Sequence, residues 1–161
     1  MAYLLIALVA FGTIWGYSSL EATSVTTSQY SAEIAPGTLD GNQFARFSYA
    51  MERYVTENPT VSGTIASSAI AGNYTPSFLN AVTCWVSPAG SGTRSLICSA
   101  ELGSGALTSA LQYSQNDASF GTPSVDDKSW TSAAGPSGST VQSLPNPVPS
   151  GSTIVFVVSF N

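Results

Sequence analysis

Apolar and polar positions divide the chain into an uninterrupted apolar beginning and a long polar remainder. Residues 2–17 carry no charged side chain, and Trp15 and Tyr17 stand near the end of this stretch. A membrane-spanning helix needs about 20 mostly apolar residues, with about 17 as the lower limit, and residues 2–20 reach that length. Because Trp and Tyr collect at membrane–water interfaces, the pattern predicts an N-terminal membrane anchor over residues 1–20.

Two alternatives stay open for the same segment. A secretory signal peptide has a basic region before its apolar core; this chain lacks one, although Ser18 and Ser19 keep cleavage possible. A buried core helix is the other alternative, but the segment's own apolar residues lie on all sides of the helix and not on one face. Gly12 and Gly16 form a G-x-x-x-G pattern, which lets helix backbones approach closely in a membrane, so they are candidate membrane helix contacts.

The polar remainder begins with residues 21–40, which are rich in Ser and Thr and are expected to form a spacer. Large apolar residues then recur every three or four positions, the spacing of one helix face; they are Phe44, Phe47, Met51 and Tyr54. Asp40 suits the N-cap, because its carboxylate accepts from the free amides of a first turn, and Pro59 disfavours helical geometry at Asn58. We expect an amphipathic helix over residues 41–57 whose stripe packs in the core.

A β-hairpin is predicted next, because residues 81–87 and 94–101 flank a loop of turn formers at residues 88–93. With the turn in the middle of this loop, Cys84 and Cys98 lie opposite each other, close enough for their sulfurs to bond. An even cysteine count in an exported chain favours a disulfide. We therefore expect a Cys84–Cys98 disulfide, with two buried free thiols as the alternative.

The remaining segments predict a mixed fold. Residues 61–65 suggest a short extended piece and residues 104–113 a short helix. The run 152–160 is β-branched, aromatic and nearly continuously apolar, which favours a strand in the middle of a sheet. Residues 114–149 are rich in loop formers, and short strands are expected there around Phe120, Val125, Trp130 and Val141. This order predicts an α+β domain over residues 41–161, with the amphipathic helix packed on an antiparallel sheet.

Charge and ionisable residues narrow the function. The net charge is −5 with four basic residues, which gives no electrostatic footprint for nucleic acid. The chain has no histidine and two cysteines, which excludes Ser-His-Asp and Cys-His sites and argues against zinc. Lys128 follows Asp126 and Asp127, which would keep it charged and unfit as a base; a solvated turn is expected there. We expect no enzyme activity, no cofactor and no metal.

The helix and its exit carry a motif-like pattern between residues 44 and 65. Aromatic and small residues on the helix are followed by Asn-Pro and a turn with glycine; the positions are Phe47, Ala50, Tyr54, Asn58, Pro59 and Gly63. This segment resembles the PilM family of type IVb pilus systems, which accompany conjugative plasmids that build thin pili. The Pro-rich approach to the last strand and the overall length are similar too. Asn58, Pro59 and Gly63 are the family-like motif.

The resemblance implies an inner-membrane protein with a periplasmic C-terminal domain that serves pilin transport or the basal body, and it carries over no catalytic residue. Its partners would be other pilus-assembly proteins or pilins, with the membrane bound through the N-terminal helix and homo-oligomer formation left open. A minor pilin is the first alternative, although no basic leader exists, no Glu precedes Glu21, and Pro36–Gly37 would interrupt a stem helix. A secreted binding module, released by cleavage near Ser19, is the second alternative.

Overall fold

The computed structural model describes residues 38–88, 93–134 and 141–160 of the chain. Within these ranges the chain forms helices and one seven-stranded antiparallel sheet. The helices are α1 (Thr38–Glu57), a 3-10 helix (Ser67–Asn73), α2 (Pro76–Ala81) and α3 (Ala106–Tyr113). The strands are β1 (Gly63–Ile65), β2 (Val82–Val86), β3 (Arg94–Ala100), β4 (Phe120–Pro123), β5 (Ser129–Ser132), β6 (Gln142–Ser143) and β7 (Ile154–Phe160). The predicted α+β domain with an antiparallel sheet is confirmed.

The last strand lies at the centre of the sheet, whose order is β1-β2-β3-β7-β4-β5-β6. β7 pairs with β3 along its whole length and with the start of β4 on its other side. Ile154, Val155 and Phe156 are fully buried, because successive strand residues face opposite sides of the sheet and both sides are covered here. The central strand expected from the apolar run is therefore confirmed, beginning at Ile154 instead of residue 152.

Each face of the sheet has its own apolar cluster. On one face, α1 packs four fully buried side chains, Phe44, Phe47, Met51 and Val55, against sheet residues that include Cys84, Cys98, Ile154 and Phe156. The opposite face carries a smaller cluster, Ile97, Trp130, Leu144, Val148 and Val155. The helix-bearing face thus holds the main core, and α1 is the element that closes it.

α1 and α3 pack directly on each other, and both helices bury small residues. These are Gly41, Ala45 and Ser48 on α1, and Ala106, Ser109 and Ala110 on α3. A β-carbon at Gly41 would overlap the carbonyl oxygen of Ala106. The absence of a side chain at Gly41 therefore sets the approach of the two helices and the position of the chain that enters α3.

The structure corrects the start and the stripe of α1. The helix begins at Thr38, so the prediction of Asp40 as N-cap is wrong; Asp40 lies in the first turn, where a negative charge still complements the helix dipole. Tyr54 is only partly buried and packs at the margin of the core, whereas Val55 is fully buried. A helix turns by about 100° per residue, which brings Val55, and not Tyr54, into line with Phe44.

Other differences concern short elements. The 3-10 helix and α2 occupy residues 67–81, for which the sequence predicted no helix. Phe120 and Trp130 lie in β4 and β5 as expected. A two-residue strand, β6, begins directly after Val141, close to the expected place, whereas Val125 lies in the β4–β5 turn; both valines are exposed. Turn-forming neighbours outweigh the single β-branched residue at Val125.

The predicted anchor at residues 1–20, with Gly12 and Gly16, lies outside the described residues, as does most of the spacer at residues 21–40. α1 already begins at Thr38, so the helix crosses the expected boundary between spacer and domain. Among the helices of the described ranges, none has both the length and the apolar character needed to cross a membrane.

Candidate contact surface

The family-like motif forms the turn between α1 and β1. The side-chain amide of Asn58 donates to the Tyr54 carbonyl at 2.8 Å, and its backbone N–H donates to the same oxygen at 3.0 Å. The Asn58 carbonyl accepts from the N–H of Val61 at 3.1 Å. Pro59 is exposed, and Gly63 has a φ of 77°, a left-handed conformation that glycine adopts without steric cost. The motif therefore ends the helix and redirects the chain into the sheet.

Arg94 fixes this turn from the start of β3. Its guanidinium donates to the carbonyls of Val55, Asn58 and Val61 at 3.2, 3.3 and 2.6 Å, and it lies 5.8 Å from the centre of the Phe160 ring. A cation here satisfies carbonyls that the helix end leaves free and complements the helix dipole. Arg94 and the motif together form a structural joint between α1 and the hairpin.

The two cysteines form a buried structural cross-link. Cys84 and Cys98 are directly paired across β2 and β3, and a disulfide joins them with their Cα atoms 4.1 Å apart. Their side chains lie in the helix-side core and are 1% and 0% exposed. Labile and catalytic disulfides are typically exposed, so this bond supports the core and offers no redox site at the surface.

A polar groove lies beside the start of α1. A first depression of about 270 Å³ lies between α1, α2 and the chain that follows β3; Asp40, Gln43, Phe78 and Glu101 are among its lining residues. A second depression of about 260 Å³ continues toward the approach to β7 and shares Glu101 with the first. We call the two together the Glu101 groove.

The Glu101 groove is acidic. Asp40 and Glu101 are both exposed, and among the described residues no Lys or Arg lines either depression. Hydroxyl and amide side chains make up much of the remaining lining; they include Gln43, Thr75, Ser77, Asn80 and Ser150. Carboxylates without a local cation attract positively charged groups, so the groove suits a cationic side chain better than an anion.

A cation and two tyrosines lie close to this groove. Tyr74 stacks on Phe78 with the ring centres 5.6 Å apart. Burial raises the pKa of Tyr74, and the positive charge of Arg46 acts in the opposite direction, while Tyr113 is close enough to affect the same phenol. Arg46 is exposed and Tyr113 is 48% exposed. Arg and Tyr are enriched at protein–protein interfaces, which makes this part of α1 a candidate contact surface.

A second polar cluster positions the turn after α3. The Tyr49 hydroxyl donates to Asp117 Oδ2 at 2.7 Å, and Asp117 Oδ1 accepts from the N–H of Ser119 at 2.9 Å. Burial and this hydrogen bond raise the pKa of Tyr49. Burial, followed by the charge of Asp117, raises the pKa of Glu52 above its ordinary value. The cluster ties α1 to the α3–β4 turn.

The acidic pair of the β4–β5 turn has a local structural role. Asp126 is exposed, and its Oδ1 accepts from the N–H of Lys128 at 3.2 Å and from the hydroxyl of Ser129 at 3.1 Å. Hydrogen bonding from Lys128 lowers the pKa of Asp126. In the described part of the chain, no three acidic or cysteine side chains come together as metal ligands. The acidic pair therefore holds the β4–β5 turn together.

Sequence reasoning missed the Glu101 groove and the role of Arg94. The first depression combines Asp40 with Phe78 and Glu101, and Arg94 reaches carbonyls 33 to 39 positions away in the sequence. No local pattern reports such contacts. The one available signal was Arg94 itself, an isolated cation at the start of an otherwise uncharged strand.

Comparison with known proteins finds the same family that the helix-exit motif resembles. The family model described as PilM matches residues 9–156. No curated protein and no solved structure matches the chain. The matched residues include the family-like motif, the disulfide hairpin and the first three residues of the central strand. Since the match extends over far more than half of its length, the chain belongs to the PilM family.

Proposed function

We propose that this protein is a non-enzymatic component of pilus biogenesis, in a type IVb or conjugative thin-pilus system. The observation that carries the proposal is the PilM family match over residues 9–156. The helix-exit motif within the match is an ordered joint held by Arg94, so the residues that resemble the family serve the fold of the domain. The functional contacts then belong to the surface, of which the Glu101 groove is the leading part.

The proposed location is the bacterial inner membrane, with the C-terminal domain in the periplasm. The uncharged residues 2–17 support an anchor. The buried Cys84–Cys98 disulfide supports an exported domain, because disulfides form and persist in oxidising compartments such as the periplasm. The anchored domain would contact other pilus-assembly proteins or pilins. A minor pilin and a secreted binding module remain the competing roles.

A non-enzymatic role fits the residues that the chain has. The sequence contains no histidine, and two of the groups with raised pKa values, Tyr49 and Glu52, belong to the cluster that fixes the α3–β4 turn. Their shifts have structural causes, namely burial and Asp117. The Glu101 groove offers exposed carboxylates and hydroxyls to a partner. We therefore assign recognition, and not turnover, to this surface.

The test of the proposal is complementation of a deletion strain. Cells that lack the gene are expected to make no pili, and the wild-type chain restores them. A Cys84→Ala/Cys98→Ala variant is expected to restore fewer pili because it accumulates poorly. A Val125→Ser variant, changed at an exposed turn, restores pili fully. Normal pili in the deletion strain would contradict the proposed function.

A further inference from the structure

A self-complementary arrangement of charge lies on the outer surface of α1. Asp40, Gln43 and Arg46 follow one another at three-residue spacing, and both charged residues are exposed. In the described part of the chain, the ion pair of this helix joins Arg53 to Glu57 and does not involve Arg46. Arg46 is thus a cation without an ion-pair partner, beside a groove that holds carboxylates without a cation.

Helix geometry makes this arrangement symmetric. An α-helix turns by about 100° and rises by about 1.5 Å per residue, so Asp40 and Arg46 lie about 60° to either side of Gln43 and about 4.5 Å toward either end of the helix. A two-fold axis that lies in the contact plane at Gln43, perpendicular to the line from Asp40 to Arg46, exchanges these two positions between facing copies. It therefore brings Arg46 of a second copy onto Asp40 of the first, and the reciprocal contact forms at the same time, as an isologous interface requires.

The Glu101 groove gives the incoming arginine a binding place. Asp40 and Gln43 line its first depression together with Glu101. A guanidinium binds carboxylates through paired hydrogen bonds and is less strongly hydrated than an ammonium group. Tyr74, stacked on the groove residue Phe78, adds an aromatic surface near the contact. Groove, aromatic ring and cation thus occur together on one surface.

We propose that two copies of this chain associate through α1 about a two-fold axis at Gln43, with Arg46 of each copy bound between Asp40 and Glu101 of the other. The occupant is a second copy because the surface carries opposite charges at positions that the two-fold axis exchanges. An acidic groove alone would give no preference for this chain over another basic partner. The inference goes beyond the proposed function and does not depend on it.

The first test is cross-linking at the proposed axis. Cys84 and Cys98 are joined in a buried disulfide, so a Gln43→Cys variant of the full chain carries a single free thiol. In detergent-solubilised membranes, a short bis-maleimide is expected to convert most of this variant to a covalent dimer. Val125→Cys is the control. Position 125 is more exposed than position 43, but it lies in the β4–β5 turn, away from the axis. Little dimer is expected from it.

The second test exchanges the charges in the Gln43→Cys background. Asp40→Arg alone and Arg46→Asp alone each place like charges together and are expected to reduce the cross-linked fraction at least tenfold. The double variant Asp40→Arg/Arg46→Asp restores opposite charges across the axis and is expected to recover most of it. Dimerisation through the N-terminal segment alone would not respond to these changes.

Three results would each overturn the proposal. They are the absence of dimer from Gln43→Cys, a dimer that survives both single charge reversals, and a loss of dimer in the single charge reversals that the double variant does not recover. The milder variants Asp40→Asn and Arg46→Gln, which are also expected to weaken the dimer, cover the case in which a reversal prevents folding; melting curves identify that case. These assays need no pili. A monomeric chain whose deletion still abolishes pili would reject the dimer and leave the proposed function intact.

Discussion

At the scale of single residues, the buried polar groups show which contacts the fold satisfies and which it leaves open. Ser48 is fully buried on α1, and its hydroxyl has no hydrogen-bond partner among the described residues. Ser132 is buried on β5, and its hydroxyl donates to the carbonyl of Ala118 at 2.7 Å. A buried polar group without a partner costs stability, whereas a satisfied one contributes.

This contrast gives a matched pair of substitutions. Ser48→Ala removes an unsatisfied hydroxyl and is expected to raise the free energy of unfolding by about 1 kcal/mol. Ser132→Ala removes a satisfied hydroxyl and leaves a carbonyl unpaired, so it is expected to lower the free energy of unfolding by about 1 kcal/mol. Urea denaturation of both variants measures the difference. Destabilisation by Ser48→Ala would show that its hydroxyl has a partner in solution.

Glu52 gives a pH dependence with a defined sign. Burial and Asp117 raise its pKa in the folded protein above the ordinary 4.5, so the folded state binds this proton more tightly than the unfolded state. Its contribution to stability is therefore fully present below pH 4.5 and is lost as the pH rises through the folded pKa. The free energy of unfolding of the wild type minus that of Glu52→Gln is therefore expected to fall over that range. Urea denaturation at each pH measures this difference. Glu57→Gln, an exposed change on the same helix, is the control, and an equal fall there would contradict the assignment.

At the scale of elements, the α1 exit depends on a contact from another strand. Arg94→Met retains much of the apolar stem but removes all donors to the Val55, Asn58 and Val61 carbonyls. We expect a loss of about 2–3 kcal/mol in the free energy of unfolding, because hydrogen bonds to charged groups contribute about 1.5–3 kcal/mol each and unsatisfied carbonyls remain. Arg53→Met removes an exposed ion pair and should change the free energy of unfolding little, because both charges remain solvated and screened. Similar losses in both variants would argue against the Arg94 joint.

The α1–α3 contact has its own test at Gly41. Gly41→Ala forces a β-carbon against the carbonyl of Ala106, and overpacking of this kind typically costs about 1–3 kcal/mol. The control is Gly72→Ala in the 3-10 helix, where an added β-carbon meets no atom within 4 Å. Thermal unfolding should show a lower midpoint for Gly41→Ala only. Stabilisation of both, as expected when alanine replaces glycine in an open helix, would contradict the close approach.

An element was predictable where the sequence pattern that determines it lies within one continuous segment. The register of the hairpin follows from its loop, which is why Cys84 and Cys98 could be paired from the sequence. Tyr54 was placed in the stripe because spacing alone does not separate it from Val55; burial decides between them. Residues 67–81 gave no helical periodicity, since their helices are a turn or two long and only Phe78 is buried.

At the scale of the whole molecule, the sheet is completed by its last strand. β7 joins β1-β2-β3 to β4-β5-β6, so the two halves of the sheet depend on the final described residues of the chain. The groove and the joint at Arg94 arise only when these distant segments meet, which explains why composition and spacing did not locate them.

We propose for this PilM-family chain the role of an anchored assembly component and not that of a filament subunit. The most direct measurement is fractionation of pilus-expressing cells after the pili are sheared off, with the intact mass of the protein determined in each fraction. The proposed role predicts that the full-length chain is found in the inner-membrane fraction. Recovery with the sheared filaments, at a mass reduced by removal of N-terminal residues, would contradict it and identify the chain as a pilin-like subunit.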